Sequence, residues 1–190
     1  MSLSVEIATR AAFPKTELHA MHRLRARAFR DRRGWDVSVL SGMEVDGFDA
    51  LEPHYMLLRE EGGALCGCWR LLPTDGPYML NDVFPELLGE QAAPHDPQVW
   101  ELSRFVMEGD APGAFGFAPR TLQSIREVIN FGHAQGIAQY VTVTTTAVER
   151  MLRQAGVAVR RFAPPRQIGV ETAVALWVDV AASQQALQAH

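Results

Sequence analysis

The stretch from Arg120 to Phe162 switches its pattern repeatedly, and few folds accept that succession. A helical run from Arg120 to Gln135 ends at Gly136, and a β-branched run from Ile137 to Thr145 follows it. Ala147 to Ala155 then reads as a short helix closed by Gly156, and Val157 to Phe162 as another strand. Upstream, Ser4 to Thr9 alternates enough to open the fold as a strand. Glu17 to Arg30 places Leu18, Met21, Leu24, Arg25 and Ala28 on one helix face. His54 to Glu60, Ala64 to Leu72 and Val99 to Met107 read as strands, the first two joined by a Glu61-Gly62-Gly63 turn. Glu171 to Val180 is the last strand, before a short helical tail from about residue 181. Strands first and strand–helix–strand units afterwards predict an α/β sandwich around a mixed sheet, in a single domain over 1–190. Asp31 to Ala50 has few periodic apolar positions and reads as a long, partly mobile loop. Gly109 to Pro119 is a Pro- and Gly-rich approach to the following helix.

A chain of 190 residues is long enough to bury a full core. With 47% hydrophobic and 21% charged residues it falls outside disordered, collagenous and coiled-coil compositions. Apolar runs such as Thr172 to Val178 are too short to cross a bilayer, and the first ten residues do not resemble a secretory signal. A cytoplasmic protein is expected. The net charge of −4 argues against general nucleic-acid binding. It hides an uneven distribution: twelve acids and two arginines from Glu44 to Glu101, but six arginines from His22 to Asp36 and five from Glu149 to Arg166. Lys15 is the only lysine, so the positive charge is almost all guanidinium, the group whose fixed fork suits carboxylates and phosphates. Cys66 and Cys68 share a strand face, too constrained to bridge each other, and read as small apolar residues. His19 and His22 share a helix face, but two histidines without a third ligand are a weak zinc signal, so no metal is expected.

Charged residues interrupt strands that are otherwise apolar. Arg70 lies within Cys68-Trp-Arg-Leu-Leu72, and Glu101, Ser103 and Arg104 within Trp100-Glu-Leu-Ser-Arg-Phe105. Strand alternation puts Glu101 and Ser103 on one face and Arg104 on the other. Such charges must be paired when buried, and Glu44, Asp46 and Asp49 supply the acids. Read by themselves, these residues allow either a functional site or a set of buried ion pairs that holds a loop to the sheet.

The order Arg25-x3-Phe29-x5-Trp35, Asp46-x2-Asp49, Arg70 and Glu101-x-Ser103-Arg104 resembles the signature of LuxI-type acyl-homoserine-lactone synthases. The segments Met21-His-Arg-Leu-Arg-Ala26, Gly34-Trp-Asp-Val-Ser38, Gly76-Pro-Tyr-Met-Leu80 and Phe84-Pro-Glu-Leu-Leu88 are similar too, so the likeness runs from about Met21 to Val180. It is strongest to the branch that makes long-chain 3-oxo signals. The resemblance implies a GNAT-like three-layer sandwich around a mixed, mostly antiparallel sheet. It also implies two substrates, an acylated acyl carrier protein and S-adenosylmethionine, with no cofactor.

On that resemblance Glu101 is the candidate general base and Ser103 helps to place the amine. Arg25, Phe29 and Trp35 close over S-adenosylmethionine, with an aromatic ring facing its sulfonium. Asp46, Asp49, Arg70 and Arg104 form the charge network that holds the loop and the methionine portion. Thr142 and Thr144, on one strand face, are candidates to read a 3-oxo group. Arg150, Arg153 and Arg166 form the basic patch expected to dock the acidic carrier protein. Two rivals stand beside this reading: an ordinary GNAT enzyme using acyl-coenzyme A, and a catalytically inactive binding module. The first calls for an Arg/Gln-x-x-Gly-x-Gly/Ala turn, which Gly109 to Arg120 lacks.

Overall fold

The computed structural model describes residues 3–109 and 117–189. The Pro- and Gly-rich stretch singled out in the sequence lies largely outside them. The chain divides into two compact units, Met1–Leu71 with Arg104–Asp110, and Leu72–Ser103 with Ala111–His190.

In the first unit β1 (Ser4–Thr9) pairs antiparallel with β4 (His54–Arg59), which pairs antiparallel with β5 (Leu65–Pro73). Gly62 and Gly63, at φ of 110° and 87°, make the predicted turn between β4 and β5, in a region that side chains rarely enter. Helix α1 (Lys15–Ala26) buries Met21 and Leu24 against Phe13, Tyr55, Leu57, Cys68 and Val106. The predicted helix runs on to Arg30; the structure instead widens into a π-helical turn over Arg27–Arg32, which still turns Ala28 and Phe29 into that core. Cys66 and Cys68 are buried free thiols, as expected, and burial pushes the Cys68 thiol up to about 12.

The expected loop from Asp31 to Ala50 is more ordered than its composition suggested. Strands β2 (Val39–Leu40) and β3 (Met43–Glu44) form a hairpin whose turn residues, Ser41 and Gly42, both have positive φ. That is the turn whose twist suits a two-residue hairpin, and serine in the first place conceals it from a reading keyed to glycine. A 3-10 turn over Gly47–Leu51 follows. Asp46 accepts from the Phe48 amide and Asp49 from the Asp46 amide, so each caps the turn from its own side.

In the second unit β6 (Val99–Met107), through Leu102, runs parallel to β7 (Gln139–Thr145). Strand β7 pairs antiparallel with β10 (Glu171–Asp179), which also pairs antiparallel with β8 (Val159–Arg161) and β9 (Arg166–Ile168). Helix α3 (Pro119–Ala134) buries Ile125, Val128 and Ile129, and the Tyr140 hydroxyl donates to the Val128 carbonyl at 2.7 Å. The short helices α2 (Met79–Asp82) and α4 (Thr146–Gln154) and the closing α5 (Val180–Gln188) complete it. The pairing is mixed and mostly antiparallel, as predicted. No helix among the described residues is long and apolar enough to cross a membrane, and no group of acids, histidines and cysteines among them has metal-site geometry.

Candidate active site

Within the first unit the predicted charges converge. Arg25, fully buried on α1, donates from Nε to Glu44 and, with both terminal nitrogens, to Asp49 at 2.8 and 3.0 Å. Arg70, fully buried on β5, binds Asp46 and also Asp49, the latter at 3.1 Å. Arg104 lies 3.1 Å from Glu44 and 2.8 Å from Asp46 as an ion pair without hydrogen-bond alignment. Three guanidiniums therefore answer three carboxylates and the cluster balances. This balance is what permits burial, because any member left alone would be very costly.

Burial opposes ionisation of Asp49, but Arg25 and then Arg70 outweigh it and hold the carboxyl well below the usual range. Burial lowers Arg104 instead, against the pull of Glu44 and Asp46. Its backbone has φ of 56°, a left-handed conformation in a β-strand residue that is not glycine. Strain of that kind costs about 1–3 kcal/mol and clusters at functional sites.

Aromatic rings flank the network. Phe29 and Trp35 stack with centroids 5.2 Å apart and planes 3° from parallel. The Arg104 guanidinium lies 5.5 Å from the Phe29 centroid, and that of Arg70 is 5.5 Å from Phe48. Sequence reasoning missed Tyr55, whose hydroxyl donates to Asp49 at 2.6 Å. A tyrosine in an apolar strand reads as core, yet register places it opposite Arg70, so strand pairing was the signal. His22 was weighed only as a metal ligand; its Nδ1 instead lies 2.8 Å from the Glu44 carbonyl.

The second unit holds the remaining candidates. Glu101 is buried, and its carboxylate accepts from the Met79 amide at 3.0 Å and the Leu80 amide at 2.7 Å. It therefore pins the start of α2, a partner that no spacing in the sequence announced. Ser103 is half-buried on the same strand. The β6–β7 ladder ends at Leu102 opposite Thr142, whose hydroxyl donates to the Leu102 carbonyl at 2.9 Å. The proton assigned to a substrate thus has a backbone partner, and Thr144 is half-buried opposite Val174 of β10. Arg150, Arg153 and Arg166 are exposed, and Arg153 binds Glu149 at 3.1 Å. Glu149 also takes Arg161 at 2.6 Å, and the hydrogen bonds from Arg161 lower its carboxyl.

The autoinducer synthase family profile matches residues 10–187. An acyl-homoserine-lactone synthase of Pseudomonas aeruginosa is 47% identical over 183 residues, covering 95% of this chain and 91% of the relative. The crystal structure of the AHL synthase LasI superposes with a TM-score of 0.90 at 47% identity, covering 99% of this chain and 95% of that one. A CoA-dependent acyl-homoserine lactone synthase, BjaI, solved with SAM and isopentyl-CoA, superposes with a TM-score of 0.87 at 28% identity, covering 99% and 87%. A more distant likeness, to an acyl-CoA N-acyltransferase from Pseudomonas aeruginosa at 14% identity and a TM-score of 0.62 over 93% and 99% of the chains, concerns the fold alone. The fold is thus GNAT-like, and the molecule is an acyltransferase. The chain belongs to the LuxI-type autoinducer synthase family, the acyl-homoserine-lactone synthases.

Proposed function

We propose that this enzyme transfers an acyl group, of the medium- to long-chain 3-oxo class, from acyl carrier protein to the amine of S-adenosylmethionine and then closes the lactone. The observation that carries this reading is the connected cluster of Arg25, Asp46, Asp49, Arg70 and Arg104 with Phe29 and Trp35. All seven residues assigned to S-adenosylmethionine belong to it. Because its guanidiniums and carboxylates balance, the sulfonium is left to the neutral faces of the aromatic pair, which attract cations through the ring quadrupole.

The amine nitrogen attacks the thioester carbonyl, an amide forms, the carbon–sulfur bond breaks, and the carrier leaves as a thiol. Glu101 removes the amine proton, directly or through a water, and Ser103 helps to place the amine. Backbone N–H groups of β6 polarise the thioester carbonyl. The methionine carboxylate then attacks its own γ-carbon, the bond to the sulfonium breaks, and 5′-methylthioadenosine leaves. The reaction so written needs no metal or redox cofactor. Thr144, or Thr142 on exchanging its bond to the Leu102 carbonyl, reads the 3-oxo group, and Arg150, Arg153 and Arg166 meet the acidic carrier protein.

An acyl-coenzyme A donor is the second reading, favoured by the CoA dependence of BjaI. The test supplies the purified enzyme with S-adenosylmethionine and one 3-oxo-acyl chain, carried either on acyl carrier protein or on coenzyme A. Lactone is quantified by mass spectrometry. The carrier-protein substrate is expected to give the higher kcat/KM, and a higher value for the coenzyme A thioester overturns the choice of donor.

A further inference from the structure

The two segments that meet at Glu101 are tied to each other again, away from the carboxylate. Residues 94–99 lead into Glu101 on β6, and residues 74–80 carry the Met79 and Leu80 amides that its oxygens accept. Braces join these segments at two points. The Tyr78 hydroxyl donates to the Pro94 carbonyl at 2.7 Å. The Thr74 hydroxyl donates to the Asp96 carbonyl at 3.0 Å and accepts from the Asp96 amide at 3.2 Å, and the Thr74 amide donates to the Val99 carbonyl at 2.9 Å. Thr74 and Tyr78 are both buried. Burial first, and the Glu101 and Asp82 charges after it, raise the Tyr78 phenol, so its proton stays in place to be donated. Tyr78 also opens α2, since it precedes Met79 and its carbonyl accepts from the Asp82 amide at 3.1 Å. A ring is thus closed, from Glu101 through the Met79 amide to Tyr78, across to Pro94, and back along the chain to Glu101.

We propose that Tyr78, supported by Thr74, is a positioning residue for Glu101: its hydroxyl braces the turn whose amides set the direction in which the carboxylate faces the reacting amine. The inference deepens the reading of Glu101 as the base and rests on it. Tyr78 touches no substrate in this role. A carboxylate held by two amides of one turn stays as still as that turn does. A helix of four residues has little hydrogen bonding of its own to resist movement, and the brace supplies the resistance from outside it. Proton transfer needs hydrogen-bond reach and alignment, so a small drift of the carboxylate lowers the rate without lowering substrate affinity.

Tyr78→Phe keeps the ring and removes the brace. It should lower kcat at saturation about three- to ten-fold, as the loss of one hydrogen bond would, with S-adenosylmethionine affinity unchanged in calorimetric titration. Thr74→Val should act in the same direction, and Thr74→Ser, which retains the hydroxyl, should stay near the parent. In a Glu101→Gln background, Tyr78→Phe should change the residual turnover by less than about two-fold, because no base is left to place. A purely structural tyrosine would lower that residual turnover as much as it lowers the parent's. Undiminished kcat in Tyr78→Phe, or an equal loss with and without Glu101, overturns the proposal. Urea unfolding establishes that the variants compared are folded, and Thr74→Val decides the question if Tyr78→Phe is not. Full turnover by Glu101→Gln alone overturns the reading of the base instead.

Discussion

Asp49 and Glu101 are both buried carboxylates, and the molecule treats them differently. Asp49, in the first unit, is held by two guanidiniums, a tyrosine hydroxyl and a backbone amide. Glu101, in the second, receives two backbone amides at the start of a short helix. Full opposite charges fix a carboxylate in its ionised form and hold its lone pairs, so Asp49 is bound into the architecture. Amide dipoles orient a carboxylate without cancelling its charge, although they too favour its ionised form. The contrast is between a carboxylate met by full charges and one met by backbone dipoles, and in the proposed reaction only the second takes a proton.

The largest expected effect tests that contrast directly. Glu101→Gln should lower turnover by roughly 10²–10⁴-fold if the carboxylate is the base. Urea unfolding should meanwhile show a cooperative folded state. Undiminished turnover in a folded variant would return Glu101 to the role of a helix anchor and erase the contrast.

The network should respond in the opposite currency. Arg25→Met leaves Glu44 and Asp49 each short of a buried partner, and breaking a buried pair from one side costs about 3–5 kcal/mol. Urea midpoints report this loss. A midpoint close to that of the parent would mean that Arg70, Arg104 and water can carry the acids without Arg25, so the network would be ligand-binding rather than structural.

The smallest effect sharpens the comparison through pH. Burial first, and the Arg25 charge second, lower the His22 imidazole, while Asp49 and Glu44 pull it the other way and Tyr55 lies edge-on beside it. A folded-state pKa below the unfolded value near 6.5 gives stability that is present above that value and lost as pH falls through it. Asp49, held low by its arginines, contributes a loss of the same sign that begins only below about pH 5. His22→Gln should therefore flatten the decline that sets in as pH falls below about 7. His54, also lowered by burial, keeps the flattening incomplete. An unaltered profile in that window would remove His22 from the account.

Much of the fold was legible before any coordinates. The strands from His54 to Met107, the helix closed at Gly136 and the β-branched run of β7 follow from local periodicity and turn residues, which report on the chain within a few residues of themselves. The hairpin inside the expected loop was not legible. Strands of two residues have no period to read, and its turn begins with serine. The short helix α2 was likewise hidden, because four residues are too few to show a helical stripe and its anchor, Glu101, lies more than twenty positions away.

The sequence by itself determined which charges need partners: Arg70 and Glu101 stand out because ionised groups do not belong in apolar strands without a reason. Only the tertiary structure decided who answers them. It gave Asp49 to Arg25, Arg70 and Tyr55, turned Arg104 into a left-handed backbone conformation beside Glu44 and Asp46, and gave Glu101 to the amides of α2. The physical reason is that desolvation cost is a property of one side chain and can be read from its neighbours in sequence. The compensation for that cost comes from partners brought to about 3 Å by packing, and sequence separation does not limit it.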